Sequence, residues 1–80
     1  MTHEELMIPK YSDAVLALMA SNEDLVPAST IAPIVKMHPS VIVSYAKRGI
    51  WPREVCNYVI SGRRVKFFRI DFLKKGGWIQ

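Results

Sequence analysis

Ser29-Thr-Ile-Ala-Pro-Ile-Val-Lys-Met-His-Pro-Ser-Val-Ile-Val-Ser-Tyr-Ala-Lys-Arg-Gly49 reads as two short helices separated by a tight turn. Ile31, Ile34 and Val35 recur at the spacing of one helix face and give the first helix a buried stripe, with Ser29 as its expected cap. Pro33 interrupts the pattern. It lacks an N–H and its ring clashes with the carbonyl four residues back, so either the helix starts nearer Ala32 or its first turn is irregular. His38-Pro39-Ser40 forms the turn and opens the second helix. Ile42, Tyr45 and Ala46 then fall at i, i+3 and i+4 and face inward, sending Ser40, Val41, Val43, Ser44 and Lys47 outward. Gly49 stops this helix as the left-handed residue past its C-cap.

Downstream, Ile50-Trp51-Pro52 is an apolar anchor, and Arg53 to Arg69 reads as two strands around a Ser61-Gly62 turn. Val55, Asn57 and Val59 alternate with Cys56, Tyr58 and Ile60. Val65 and Phe67 alternate with Arg64, Lys66 and Phe68. Asp71-Phe-Leu-Lys74 reads as a short closing helix before Gly76-Gly77, after which Trp78 and Ile79 fold back over the core. Upstream, Ser12 caps a helix with Asp13 in its first turn and Val15, Leu18 and Met19 on one face, ended by Ser21-Asn-Glu-Asp24. Leu25-Val26-Pro27 is an extended entry to the next helix, and Thr2 to Lys10 is an arm or loop. The expected fold is mainly α with a small β-hairpin and an extra N-terminal helix. Residues 1–25 form an arm and supporting helix, and residues 26–80 form the main unit.

Eighty residues suffice for one domain, and a chain this short buries only about 60% of its unfolded surface. Half the residues are apolar, which argues against disorder. No apolar run approaches the ~20 residues that span a bilayer, and Met1-Thr-His-Glu-Glu5 lacks the basic start of a secretion signal. The single cysteine, Cys56, cannot form an internal disulfide and points to a reducing, intracellular compartment.

Charge divides the chain. In residues 1–40, Lys10 and Lys36 stand against Glu4, Glu5, Asp13, Glu23 and Asp24, a net of −3. In residues 41–80, Lys47, Arg48, Arg53, Arg63, Arg64, Lys66, Arg69, Lys74 and Lys75 stand against Glu54 and Asp71, a net of +7. A polyanion is steered to the second half.

Ala32, Met37-His-Pro-Ser40, Ile42, Tyr45, Gly49, Pro52, the Gly62-Arg-Arg-Val-Lys-Phe67 strand and Asp71-Phe-Leu73 together resemble the excisionase-like and MerR-like winged helix-turn-helix group. The resemblance covers about residues 26–75 and lies in the order and spacing of the motifs. It implies duplex DNA binding without a cofactor, with the second helix in the major groove and the wing against the neighbouring minor groove or backbone. MerR-type regulators continue into a long dimerising helix, whereas this sequence stops at Gln80, about where small phage and mobile-element excisionases stop. The resemblance therefore implies an excisionase-type protein of the bacterial or phage-infected cytoplasm. Such a protein binds adjacent repeats in several copies, bends DNA and contacts integrase. Two neighbouring readings stay open: a small transcriptional regulator with the same domain, and a protein-binding adaptor that uses Val41, Val43 and the acidic N-terminal helix. Val43-Ser44 and Pro33 depart from the group's pattern, which often carries arginine in mid-helix and a helix former at the proline.

The candidate recognition-helix contacts are Ser40, Val41, Val43, Ser44, Lys47 and Arg48. Valines suit thymine methyls, and serines reach phosphate or either base type. The candidate wing contacts are Arg63, Arg64 and Lys66, three cations whose mutual repulsion an anion or solvent relieves. Lys36, His38 and Arg53 are weaker candidates for the backbone, although Arg48 and Arg53 could instead pair with Glu54. Lys74 and Lys75 suit a helix C-terminus. Tyr45, Trp51, Phe67 and Phe72 are expected in the core, while Phe68 shares a strand face with Arg64 and Lys66. The parts of an enzyme or a metal site are missing: His3 lies in the arm, His38 caps or touches phosphate, and Cys56 has no Cys-x-x-Cys partner. No membrane or small-molecule partner is expected.

Overall fold

The computed structural model describes residues 12–80, so the expected arm at 2–10 lies outside the described residues. The first helix, α1, is Asp13–Ala20. The Val15 N–H donates to Ser12 Oγ at 3.3 Å, which makes the expected cap, and Val15 and Leu18 face the core. There follow β1 (Leu25–Pro27), α2 (Ala28–Val35), α3 (Pro39–Lys47), β2 (Tyr58–Ser61), β3 (Arg64–Phe68) and α4 (Arg69–Lys75).

The protein is a small α+β domain with four helices and three strands among the described residues. The expected lone hairpin is corrected here, because Leu25–Pro27 joins it as a third strand. The sheet is antiparallel in the order β1-β3-β2, with Val26 opposite Phe67 and Ile60 opposite Val65. The extended backbone that precedes a helix has unpaired main-chain groups, and pairing with β3 satisfies them while Val26 buries its side chain.

Other boundaries move for identifiable reasons. α2 begins at Ala28, so Ser29 lies inside its first turn and is not its cap; Pro27 holds the cap position without a side-chain bond. Pro33 sits within the helix rather than delaying its start. Both Pro33 and Ser29 are exposed, so water can satisfy the Ser29 carbonyl that Pro33 leaves unbonded. β2 starts only at Tyr58, later than expected. Residues 53–55 form a turn, held by Val55 N–H to Pro52 O at 3.1 Å and by Trp51 Nε1–H to Cys56 O at 3.0 Å. The hairpin loop is Gly62-Arg63 rather than Ser61-Gly62. Ser61 still pairs with Arg64, and Gly62 takes φ +59° at the position where a two-residue loop favours glycine.

α3 ends as expected. Gly49 has φ +74°, its N–H donates to Ala46 O at 3.1 Å, and Ile50 N–H donates to Tyr45 O at 3.0 Å. This closure throws Trp51 back into the core, edge-on to Phe67 with ring centroids 5.3 Å apart. Phe67, Leu18, Ile31, Ile42, Leu73 and Cys56 are the largest fully buried side chains, so helices from both ends of the chain and the sheet share one core. At the far end Trp78 stacks on Phe72 at 5.4 Å and folds the C-terminal residues back, as expected. No helix among the described residues is long and apolar enough to cross a membrane.

Candidate nucleic-acid interface

α2, the turn 36–38 and α3 form two helices joined by three residues. Lys36 takes the left-handed conformation (φ 58°) at the α2 C-cap, which turns the chain sharply enough for α3 to pack against α2. His38 then caps α3. Its Nδ1 accepts from Ser40 N–H at 3.2 Å and lies 2.7 Å from Ser40 Oγ.

Hairpin and helix meet at a groove of about 470 Å³ between the N-terminal half of α3 and the β2–β3 tip. Pro27, Ala28, Pro39, Val43 and Val65 supply apolar wall, and Ser29, Ser40, Arg63, Arg64 and Lys66 supply polar and cationic lining. Five sequence-predicted contacts, Ser40, Val43, Arg63, Arg64 and Lys66, are thus brought together across more than twenty residues of chain. Arg63 and Arg64 are exposed and Lys66 is half-buried.

The remaining candidates divide. Val41, Ser44, Lys47 and Arg48 are exposed on α3 or just past it, outside the groove. Lys36 and His38 stand in the turn between the two helices. Val43 was expected to face outward and is corrected: it is half-buried, packed against the core and lining the groove. Its neighbour α2 lies close enough to take up a side chain that the i, i+3, i+4 pattern leaves at the edge of the apolar face. Arg53 stands apart from the groove. Its guanidinium lies 4.4 Å from the Tyr58 ring centroid and donates to Asn57 Oδ1 at 3.4 Å, and neither it nor Arg48 pairs with Glu54 among the described residues.

Two further basic residues that contribute to the +7 have structural partners. Arg69 donates to the carbonyls of Glu23 and Leu18. Lys75 pairs with Asp71 at 3.5 Å and donates to the Arg53 carbonyl. The cations left to meet an anion are therefore concentrated on the wing and the C-terminal half of α3.

Sequence reasoning missed the contribution of Ser29 and of the α2 N-terminus. The first-turn N–H groups of α2 have no side-chain cap, and Ala28 and Ser29 line the groove. Uncapped helix-start donors favour an anion. The sequence signal was present in Pro27-Ala28-Ser29, where the proline ends the extended segment one residue earlier than a serine cap requires.

Cys56 offers no chemistry here. It is fully buried, with its thiol against the carbonyls of Asn57 at 2.9 Å and Phe68 at 3.2 Å. Burial, then the negative charge of Asp71, pushes its pKa up to about 12. Among the described residues no three His, Cys, Asp or Glu side chains converge as metal ligands.

Comparison with protein-family models, with curated proteins and with solved structures finds no match to this chain.

Proposed function

We propose that the protein binds duplex DNA, with α3 presented to the major groove and the β2–β3 hairpin acting as a wing against the adjacent backbone. The observation that carries this reading is the groove joining the start of α3 to Arg63, Arg64 and Lys66. Its cations supply the salt-dependent attraction to phosphate. The uncapped α2 N-terminus adds main-chain donors beside them. Val41, Ser44 and Lys47, exposed on one helix, suit base edges and thymine methyls. The helix, turn, helix and hairpin order supports a winged helix-turn-helix, and within that class the resemblance favours an excisionase-type architectural protein over a transcriptional regulator. The adaptor reading relied on Val41, Val43 and the acidic N-terminal helix. Val43 is half-buried, which leaves Val41 and that helix to support it.

Fluorescence anisotropy with a random duplex of about 25 base pairs across a salt series tests this reading. Micromolar binding that falls steeply with salt is expected. Absence of binding at about 50 mM salt overturns it, because nonspecific affinity is greatest at low salt.

A further inference from the structure

Among the described residues the sheet order leaves two edges, β1 and β2. β1 is three residues long and ends in Pro27, which has no N–H to offer a neighbour. β2, Tyr58-Val-Ile-Ser61, contains no charge and no proline, and Val59 and Ile60 are 39% and 47% exposed. Its own sequence thus has neither the charges nor the proline that keep an edge strand unpaired.

The hairpin decides which main-chain groups face out. A two-residue loop closes on a hydrogen-bonded pair, here Ser61 with Arg64, so Val59 with Lys66 is the next such pair. Phe68 N–H donating to Asn57 O at 3.2 Å continues the same series. The N–H and C=O of Tyr58 and Ile60 therefore point away from β3, toward the open edge.

We propose that β2 pairs antiparallel with β2 of a second copy, about a twofold axis through Val59. One register uses both outward-facing residues of each strand. Tyr58 meets the second copy's Ile60, Ile60 meets the second copy's Tyr58, and the two Val59 residues oppose each other on the axis. A shift by one sets outward groups against inward ones, and a shift by two halves the pairing. The contact is isologous, as a closed dimer requires. It joins two three-stranded sheets into one of six strands with both helix layers on the same face.

Charge opposes a second copy of this basic chain least where the paired strands carry no cation of their own, and the exposed Arg53 over the Tyr58 ring is screened by solvent. β2 is neutral, and the two copies of β3, which carry Arg64 and Lys66, stand three strand spacings or about 14 Å from each other. That exceeds the Debye length of about 8 Å at physiological salt. The dimer does not depend on the DNA reading, although neighbouring DNA sites would raise the effective concentration of its halves.

The test uses the full chain with Val59→Cys and Ile60→Cys under mild oxidation, in the absence of DNA. Cys56 is fully buried and does not compete. Residues opposed in a non-hydrogen-bonded pair have close Cβ atoms, so Val59→Cys is expected to crosslink at least about tenfold faster than Ile60→Cys, whose opposite residue is a tyrosine. Equal rates, or no crosslink in either, overturn the register and the interface. Sedimentation of Val59→Lys checks this independently. The wild type is expected to dimerise with concentration in the range up to about 1 mM, and the variant, which sets two ammonium groups on the axis, is expected to stay monomeric. Circular dichroism confirms that each exposed substitution leaves the fold intact. Dimerisation of Val59→Lys at the wild-type level overturns the proposal. Failure here leaves the anisotropy result untouched, and the reverse also holds.

Discussion

Arg69 Nε donates to the main-chain carbonyl of Glu23 at 2.6 Å, joining the start of α4 to the segment that follows α1. The same guanidinium reaches Leu18 O at 3.3 Å, and the Arg69 N–H donates to Asp24 O at 3.0 Å. Carbonyls at and beyond the end of α1 are thereby satisfied by the guanidinium and the main-chain N–H of one residue near the other end of the chain. Arg69→Ala is expected to lower stability by about 1–3 kcal/mol, at the lower end because the site is partly exposed. Urea unfolding measures the loss, and hydrogen exchange should show it largest in α1. The salt dependence of DNA binding should not change, because this arginine is engaged within the fold.

Asp71 Oδ2 accepts from the Asn57 N–H at 2.7 Å and pairs with Lys75 at 3.5 Å. It anchors the chain as it enters β2. Asp71→Ala leaves that N–H without its acceptor and should cost about 1–3 kcal/mol. Asp71→Asn retains an acceptor oxygen and should recover part of the loss. Equal denaturation midpoints for the two variants would show that the hydrogen bond contributes nothing beyond the charge.

Cys56 sets a limit on alkaline stability. The thiol ionises near 9.0 when exposed and is held protonated to about 12 in the fold by burial and by Asp71. The folded state therefore binds the proton more tightly than the unfolded state. This contribution is fully present below about pH 9 and is lost as pH rises toward 12. Cys56→Ala should flatten that alkaline decline in thermal unfolding measured across the same window. At about pH 8, iodoacetamide should modify the native protein only as fast as it opens, and the denatured chain far faster.

Arg63 and Arg64 carry the wing's share of the DNA reading. Every phosphate that goes unneutralised should reduce the slope of log K against log salt by about 0.9, so Arg63→Ala/Arg64→Ala should flatten it by up to about 1.8. Lys74→Ala, at the far end of α4, is the control and should leave the slope as it is. A double variant with the wild-type slope would remove the wing from the interface.

Much of this fold was legible along the chain because it is governed by local rules. Ser12 and Gly49 mark the start of α1 and the end of α3, the buried positions of α3 follow from Ile42 and Ala46, and the in-out alternation of Arg64 to Phe68 is a strand pattern. Each reads as chemistry acting within one or two turns or strand steps. The clustering of cations at the hairpin tip was equally visible, since Arg63, Arg64 and Lys66 are neighbours in sequence.

Tertiary structure decided the rest. Leu25–Pro27 is too short for periodicity to distinguish a strand from an extended linker, and only the approach of β3 makes it one. Val43 sits at the margin of an apolar face, where the position of α2 and the wing, not spacing, determines burial. The sequence does not show the partners that Arg53, Arg69 and Lys75 take. Their long side chains find carbonyls and a ring supplied by other segments. Sequence alone thus determined that the four helices and the hairpin arise and on which half the positive charge lies. Which cations remain free to meet an anion, and which edge remains open to a second strand, depends on distances between segments far apart in the chain, and only the folded arrangement sets those.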